Sequence, residues 1–376
     1  MEFIDLKAQY RALKPKIDAN IQAVLDAGQF IGGPYVKELE LQLAEYVGRK
    51  HCITCGNGTD ALQAAYMALG VGEGDAVFCP DCTFIATVEP AYMLGATPVF
   101  CDVSMDSYNL APESLERQIQ AVLAEGKLTP KVVAAVDFLG NPCDYDAIGA
   151  ICEKYGLILM EDAAQSMGAS YKGKMCCSFG AVSTTSFFPA KTLGCYGDGG
   201  AIFTDDDALA DLLRSICVHG KGPGGKYNNI RVGINSRLDN LQAAILLPKL
   251  KALGAYEIRD RESIASRYSA AFTGKFVLPP VPADGQHSWY QYTLLAEDTA
   301  HRDRIGSHLK EAGIPTNLYY PTPMHALPVF QVLQTYGETY PNAVDYCART
   351  ISIPMHPYLE TAEQQQIIDA VLEAVR

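Results

Sequence analysis

The sequence has little positive charge for its acidic content, and this imbalance limits the partners it can attract. Its 376 residues include 30 Lys and Arg against 43 Asp and Glu, for a formal net charge of −13 at pH 7. A strongly acidic chain repels the phosphate backbone of nucleic acids and the anionic headgroups of membranes. We therefore expect no nucleic acid and no membrane surface as a general partner. A few local donors can still bind small anions.

Long hydrophobic runs are missing as well. No uncharged apolar stretch reaches the roughly 18 residues that a transmembrane helix needs. Residues 1–7 lack the basic region and apolar core of a secretory signal peptide. We therefore expect the protein to act in the cytoplasm, with its twelve cysteines as reduced thiols, most of them in the core.

Apolar runs and helix-like segments alternate through the first two-thirds of the chain. The runs predict strands at residues 51–55, 76–79, 97–101, 131–136 and 157–160. Helical periodicity predicts helices at 59–69, 114–123 and 145–155. Apolar strands that alternate with helices predict an α/β fold, with a mostly parallel sheet covered on both faces.

The pattern changes after about residue 250. A long helical stretch at 250–272 precedes the proline-rich segment 278–282, and a terminal helix is predicted at 361–375. We predict a large domain over residues 1–250 and a smaller C-terminal α/β domain over residues 251–376.

Two residues have the chemistry that pyridoxal 5'-phosphate (PLP) requires. Asp162 directly follows the apolar run 157–160, at the strand end where α/β sheets present ligand-binding groups. Lys191 closes the segment 185–191, ahead of a glycine-rich stretch. PLP needs a lysine to hold its aldehyde and a carboxylate to keep its ring nitrogen protonated. Lys191 and Asp162 are therefore the predicted catalytic pair.

Three further features suit the same cofactor. Ser186 can offer a hydroxyl to its phosphate, and Gln165 an amide to its phenolic oxygen. The turn at residues 56–60 joins a strand to a helix, so its free N–H groups form an anion site. Taken singly, each feature has an ordinary explanation, since most lysines are solvated and many glycine-rich turns are only turns. Their order along the chain is what supports the interpretation.

Two other motifs do not support a metal or nucleotide site. The C-x-x-C pairs at 52–55 and 79–82 imitate a four-cysteine metal site, but strand alternation points the first two cysteines to opposite faces. Residues 220–226 imitate a phosphate-binding loop, but Tyr227 replaces the required Ser or Thr, and residues 212–218 are helical in pattern. We predict no metal and no nucleoside-triphosphatase activity.

Several segments resemble the DegT/StrS-type sugar aminotransferases of fold type I. The likeness runs from residue 3 to residue 357, nearly the whole chain, and includes two domains of the predicted kind. The matching segments are residues 56–62, 83–87, 161–166, 186–191 and 231–239.

The resemblance implies a role for each site residue. Lys191 is the Schiff-base lysine, and Asp162 is the partner of the pyridinium. Phe84 stacks on the ring, although core packing is an ordinary alternative for it. Asn235 of a second subunit joins the phosphate site, which implies a homodimer with shared active sites, although a turn-forming role is the alternative for it. The other cofactor contacts implied are those of Gln165, Ser186, Gly58 and Thr59.

Amino transfer is the implied reaction. L-Glutamate is the expected donor, leaving as 2-oxoglutarate, and a nucleotide-linked keto-sugar is the expected acceptor, in amino-sugar and surface polysaccharide biosynthesis. A family branch that removes sugar hydroxyls has histidine in place of the lysine, so Lys191 favours transamination. A rival of another class is a non-catalytic PLP-binding regulator, and the presence of Lys191, Asp162, Gln165 and Ser186 argues against it.

The sugar is narrowed by further likenesses. Residues 186–191, 194–200 and 235–237 resemble the branch that aminates carbon 3 of UDP-2-acetamido-2-deoxy-3-oxo-glucuronate, and a carbon-4 keto-6-deoxy sugar is the alternative. Arg237 suits a sugar carboxylate, because its planar fork pairs with two oxygens, although a surface ion pair is its ordinary role. Tyr320 matches a tyrosine of the family, whereas Tyr319 replaces a histidine thought to line the sugar site. His325 is a further candidate for substrate contact.

Overall fold

The computed structural model describes residues 1–225 and 227–375 of the chain. The strands are β1 (His51–Cys55), β2 (Asp75–Pro80), β3 (Thr97–Cys101), β4 (Thr129–Val136), β5 (Ile158–Asp162), β6 (Ser170–Tyr171), β7 (Lys174–Met175), β8 (Val182–Ser186), β9 (Gly200–Thr204), β10 (Gly285–Gln286), β11 (Tyr292–Leu295) and β12 (Thr350–Ile353). The helices are α1 (Leu6–Ala27), α2 (Pro34–Val47), α3 (Gly58–Ala68), α4 (Glu89–Met93), α5 (Pro112–Glu125), α6 (Tyr145–Tyr155), α7 (Asp207–Ile216), α8 (Asn240–Ala252), α9 (Ile258–Phe272), α10 (Thr299–Glu311), α11 (Pro341–Arg349) and α12 (Thr361–Ala374).

A seven-stranded sheet organises the first two-thirds of the chain. Its strand order is β1-β9-β8-β5-β4-β2-β3, and β9 runs antiparallel to both of its neighbours. The other pairings are parallel, so the predicted mostly parallel sheet is confirmed. The carboxyl ends of β2, β4, β5 and β8 therefore meet at one edge of the sheet.

Local capping places the first helix residues at this edge. Asn57 ends the turn after β1, and its Oδ1 accepts the N–H of Asp60 at 2.7 Å. This N-cap starts α3 at Gly58, with its N-terminal N–H groups at the sheet edge. The same device starts α6, where Asp144 Oδ1 accepts the N–H of Ala147. Sequence chemistry and sheet topology thus agree on where these helices begin.

The C-terminal part has its own small sheet. β11 and β12 pair antiparallel and pack with α9, α10 and α12 around a separate apolar cluster. The predicted division into residues 1–250 and 251–376 stays a prediction. Among the residues described, no helix is both long enough and apolar enough to cross a membrane.

The prediction of a long helix at residues 250–272 was wrong about where the helical stretch begins. The helical stretch begins ten residues earlier, at Asn240, and passes through a π-helical turn at Leu253–Glu257 before α9. Nearly every side chain of α8 is buried. Because its apolar residues are not confined to one face, no amphipathic period marked its start.

Candidate active site

A cavity of about 610 Å³ opens at the carboxyl edge of the large sheet. Segments that follow β1, β2, β5 and β8 line it, together with residues of the C-terminal part. The structure thus brings together most of the residues predicted for the site. Those that line the cavity are Gly58, Thr59, Phe84, Asp162, Gln165, Ser186, Lys191, Tyr319 and Tyr320.

One end of the cavity is a cradle for an anion. The first N–H groups of α3, at Gly58 and Thr59, have no acceptor inside the helix. Ser186, the last residue of β8, lies against Gly58, where an added Cβ would come within 2.7 Å of the serine Cβ. Any larger residue at position 58 would push this hydroxyl away. The close approach brings backbone N–H groups and one hydroxyl together, a set of donors that suits an anion.

Lys191 lies in the loop that follows β8. Its N–H donates to Phe188 O at 2.8 Å, which closes a turn, and its Nζ lies 4.7 Å from the ring centroid of Tyr290. Burial lowers the pKa of the Lys191 amine to about 8, and the nearby charge of Asp162 partly opposes this lowering. At a pKa of about 8, roughly a tenth of the amine is unprotonated, and therefore nucleophilic, at pH 7.

Asp162 is the last residue of β5 and is almost completely buried. Its Oδ2 accepts the hydroxyl of Thr87 at 2.8 Å, and its Oδ1 accepts the N–H of Ala164 at 3.2 Å. Burial raises the pKa of the Asp162 carboxyl, while these two donors act in the opposite direction. A cationic ring nitrogen would further favour the ionised carboxylate.

Gln165 is oriented by the backbone. The N–H of Leu139 donates to its Oε1 at 2.7 Å, which leaves the amide nitrogen to point toward the hydroxyl of Tyr320 at 3.4 Å. Phe84 lies beside Tyr320, with ring centroids 5.9 Å apart, and its side chain is 53% exposed. That exposure does not fit the core-packing alternative for Phe84. It leaves an aromatic face open to a flat ring.

Together these groups fit PLP. An amine, a carboxylate, an oriented amide, a free aromatic face and an N–H cradle lie in one cavity. Each matches a different part of the cofactor.

Three predicted residues lie outside the cavity of their own chain. Asn235 and Arg237 are exposed, and Arg237 Nη2 donates to Asn235 Oδ1. Arg237 lines a different cavity of about 290 Å³. The His325 ring pairs with Asp81, with Nδ1 and Oδ2 2.6 Å apart, so one of its two ring nitrogens is already engaged. In the 220–226 loop, Lys226 lies outside the described residues.

Several lining residues were not predicted individually. Thr87, Tyr290 and Asp198 all face the cavity. Thr87 belonged to the matching segment 83–87, so a signal for it existed. Tyr290 comes from the C-terminal part, and nothing near it in the sequence indicated the site.

Comparison with known proteins gives a consistent result. The model of the DegT/DnrJ/EryC1/StrS aminotransferase family matches residues 11–372. The chain is 47% identical to UDP-2-acetamido-2-deoxy-3-oxo-D-glucuronate aminotransferase of Pseudomonas aeruginosa, over 99% of both chains. It is 41% identical to a pleiotropic regulatory protein of Geobacillus stearothermophilus, over 99% of this chain and 98% of that protein. An aminotransferase structure from Brucella abortus superimposes with a TM-score of 0.97 at 45% identity, covering 100% of this chain and 99% of that one.

Proposed function

The chain belongs to the DegT/DnrJ/EryC1/StrS aminotransferase family, and we propose that it aminates carbon 3 of UDP-2-acetamido-2-deoxy-3-oxo-glucuronate with L-glutamate as donor. The protein is a PLP-dependent aminotransferase with the fold type I architecture. One observation carries the catalytic assignment: the amine of Lys191 shares a cavity with the buried carboxylate of Asp162. The 47% identity to the Pseudomonas enzyme supports the sugar.

The cavity residues divide the work of holding the cofactor. Lys191 is the proposed attachment point, and Asp162 the partner of the ring nitrogen. Phe84 covers one ring face, and Gln165 donates its amide N–H to the ring oxygen. The phosphate takes the N–H groups of α3 and the Ser186 hydroxyl, which are the donors at Gly58, Thr59 and Ser186.

When bound, PLP supplies an aldehyde that exchanges amino groups and a ring that accepts electrons. Lys191 Nζ would hold the aldehyde of the cofactor and, when released from it, would take a proton from the α-carbon of L-glutamate. The protonated amine would give that proton up again before the first half-reaction ends. In the second half-reaction it would move a proton in the opposite direction, onto the sugar carbon that receives the amine. A pKa of about 8 suits this work, because both protonation states are accessible near neutral pH. The Asp162 carboxylate would pair, in its ionised form, with the positive ring nitrogen.

Charge balance supports a homodimer with shared sites. Among the described residues that line the cavity, Lys191 is the only lysine or arginine, whereas Asp60, Asp162 and Asp198 are acidic. A cofactor phosphate and a UDP-linked uronate both bring negative charge. We propose that Asn235 and Arg237, exposed in their own chain, reach the cavity of the second subunit and supply the missing donors.

The aromatic side of the cavity is the proposed sugar site. Tyr319 and Tyr320 line it, and their ring centroids lie 5.6 Å apart. His325 is bound to Asp81 and is the weakest of the proposed substrate contacts. The twelve cysteines are free thiols, which supports action in a reducing compartment, and the proposed one is the cytoplasm.

A half-reaction identifies the sugar. The protein is loaded with pyridoxamine 5'-phosphate and offered a panel of nucleotide keto-sugars, and the return of the visible absorbance of the aldehyde form is followed. We expect the UDP-linked 3-oxo-glucuronate to react fastest. If only 4-oxo-6-deoxy sugars react, the position that is aminated is carbon 4 and the carbon-3 assignment is wrong. The Geobacillus relative's name favours a regulatory role as second candidate, and absence of turnover with every sugar would support it.

A further inference from the structure

Two threonine hydroxyls form a hydrogen-bonded series that ends at the carboxylate of Asp162. Thr87 Oγ1 lies 2.8 Å from Asp162 Oδ2, and Thr83 Oγ1 lies 2.9 Å from Thr87 Oγ1. Thr83 is 4% exposed, Thr87 1% and Asp162 4%, so solvent competes little for these bonds. Hydrogen bonds to a charged group are also stronger than those between neutral groups.

The direction of these bonds follows from counting protons. A hydroxyl has one proton to donate, and the Asp162 carboxylate is only an acceptor when it is ionised. The Thr87 hydroxyl therefore donates its one proton to the Asp162 carboxylate. The second bond is then donated by Thr83 and accepted by Thr87. Polarisation along such a pair makes Thr87 a better donor.

The backbone holds Thr87 firmly in place. Its carbonyl accepts the hydroxyl of Tyr66 at 2.7 Å, and Tyr66 is a fully buried residue of α3. Its N–H donates to Phe84 O at 3.0 Å and closes the turn that presents the Phe84 ring. One short turn thus carries both the exposed aromatic face and the hydroxyl that touches the carboxylate.

We propose that Thr87 is a positioning residue: its hydroxyl fixes the Asp162 carboxylate and favours the ionised form that the cofactor's ring nitrogen requires. Thr83 supports Thr87 in this role. The proposal deepens the proposed function, because it rests on Asp162 as the partner of the ring nitrogen.

The surroundings of Asp162 make this help necessary. Burial raises the pKa of its carboxyl, and the negative Asp137 acts in the same direction. Lys191 opposes them from the β8 side. Three further titratable groups that interact with Asp162 are buried and neutral near pH 7, namely Tyr66, Cys79 and Tyr320. Thr87 is the first of the favourable contributions.

The test measures binding and needs no turnover. Dissociation constants are compared for PLP and for 1-deazapyridoxal 5'-phosphate, in which carbon replaces the ring nitrogen. Their ratio reports the Asp162 contact alone. The wild-type preference for PLP is the ratio of these two dissociation constants. We expect Thr87→Val to reduce this ratio about ten-fold and Thr87→Ser to change it by no more than about two-fold. The matched control is Thr293→Val, since Thr293 is fully buried and its hydroxyl shares a hydrogen bond with Ser352, at 2.7 Å, far from Asp162 in the C-terminal sheet.

The outcomes separate this proposal from the function it rests on. If Asp162→Asn loses the preference while Thr87→Val keeps it, the role of Thr87 is overturned and that of Asp162 stands. If the wild type shows no preference, the Asp162 assignment falls and the proposal with it. Should Thr87→Val not fold, Thr83→Val decides. A reduction of the preference ratio by about three-fold in Thr83→Val supports the proposal, and an unchanged ratio in that variant overturns it.

Discussion

The Ser236 hydroxyl joins the turn before α3 to the loop that carries Asn235 and Arg237. It donates to Asp60 Oδ2 at 2.6 Å and accepts the N–H of Gly56 at 2.9 Å. Ser236 is 1% exposed, whereas its two neighbours point outward. The N–H cradle at the start of α3 and the exposed pair therefore belong to one connected unit.

Replacing Ser236 by Ala should weaken cofactor binding. The change removes the bonds that hold Gly56 and Asp60, so the N–H cradle at the start of α3 becomes less well ordered. Loss of about 1 kcal/mol corresponds to about five-fold weaker PLP binding, measured by absorbance titration of the apoprotein. Ser352→Ala, a buried serine of β12 bonded to Thr293, is the control. Unchanged affinity in the Ser236 variant would contradict the structural link.

Borohydride reduction should label Lys191 and leave Lys249 unlabelled. Both amines have a pKa lowered to about 8 by burial, so amine reactivity alone does not separate them. Lys191 lines the cavity, whereas Lys249 Nζ donates to the Gly194 carbonyl outside it. Peptide mapping after reduction of the PLP-loaded protein distinguishes them. Lys191→Ala should remove both the label and multiple turnover, and a label on Lys249 would sink the assignment.

Mixed dimers test which subunit's Arg237 serves a cavity. Lys191→Ala and Arg237→Met should each be nearly inactive with the uronate sugar. In a hybrid of the two, the cavity with the intact lysine would receive the intact arginine of its neighbour. Random mixing should then restore roughly a quarter of the wild-type sites. If Arg237 served its own chain's cavity, mixing would restore nothing.

Lys249 should make the stability of the apoprotein depend on pH. Its pKa falls from 10.5 to about 8 on folding, so between these values the unfolded chain holds a proton that the folded chain has lost. The free energy of unfolding therefore rises with pH across this window, and the cost of burial is fully present below it. The rise should be on the order of 3 kcal/mol. The free energy of unfolding is measured with urea at pH values below, within and near the top of this window. It should rise less with pH in Lys249→Met than in the wild type. Equal rises in the two proteins would refute the role of Lys249.

Much of the fold could be predicted because its signals are local. The strand at 97–101 and the helix at 145–155 match their observed bounds, since short apolar runs and amphipathic periods are properties of neighbouring residues. α8 failed the same test, because a helix buried on nearly all sides has no period that marks its start.

The candidate site was predictable in part. Asp162 and Ser186 each end a strand, and the chemistry of a lysine with a carboxylate suggested the cofactor from residue types alone. Tyr290 could not be found this way, because only the packing of the C-terminal part brings its ring to Lys191.

The sequence by itself determined the strands, the turns and the reactive groups at their ends, because propensity and side-chain chemistry act over a few residues. Only the tertiary structure decided which groups meet. Thr87 touches Asp162 across 75 residues because β5 and β2 flank β4, so their loops share one edge of the sheet. It also decided that Asn235 and Arg237 point away from their own cavity, since Ser236 between them is bound inward.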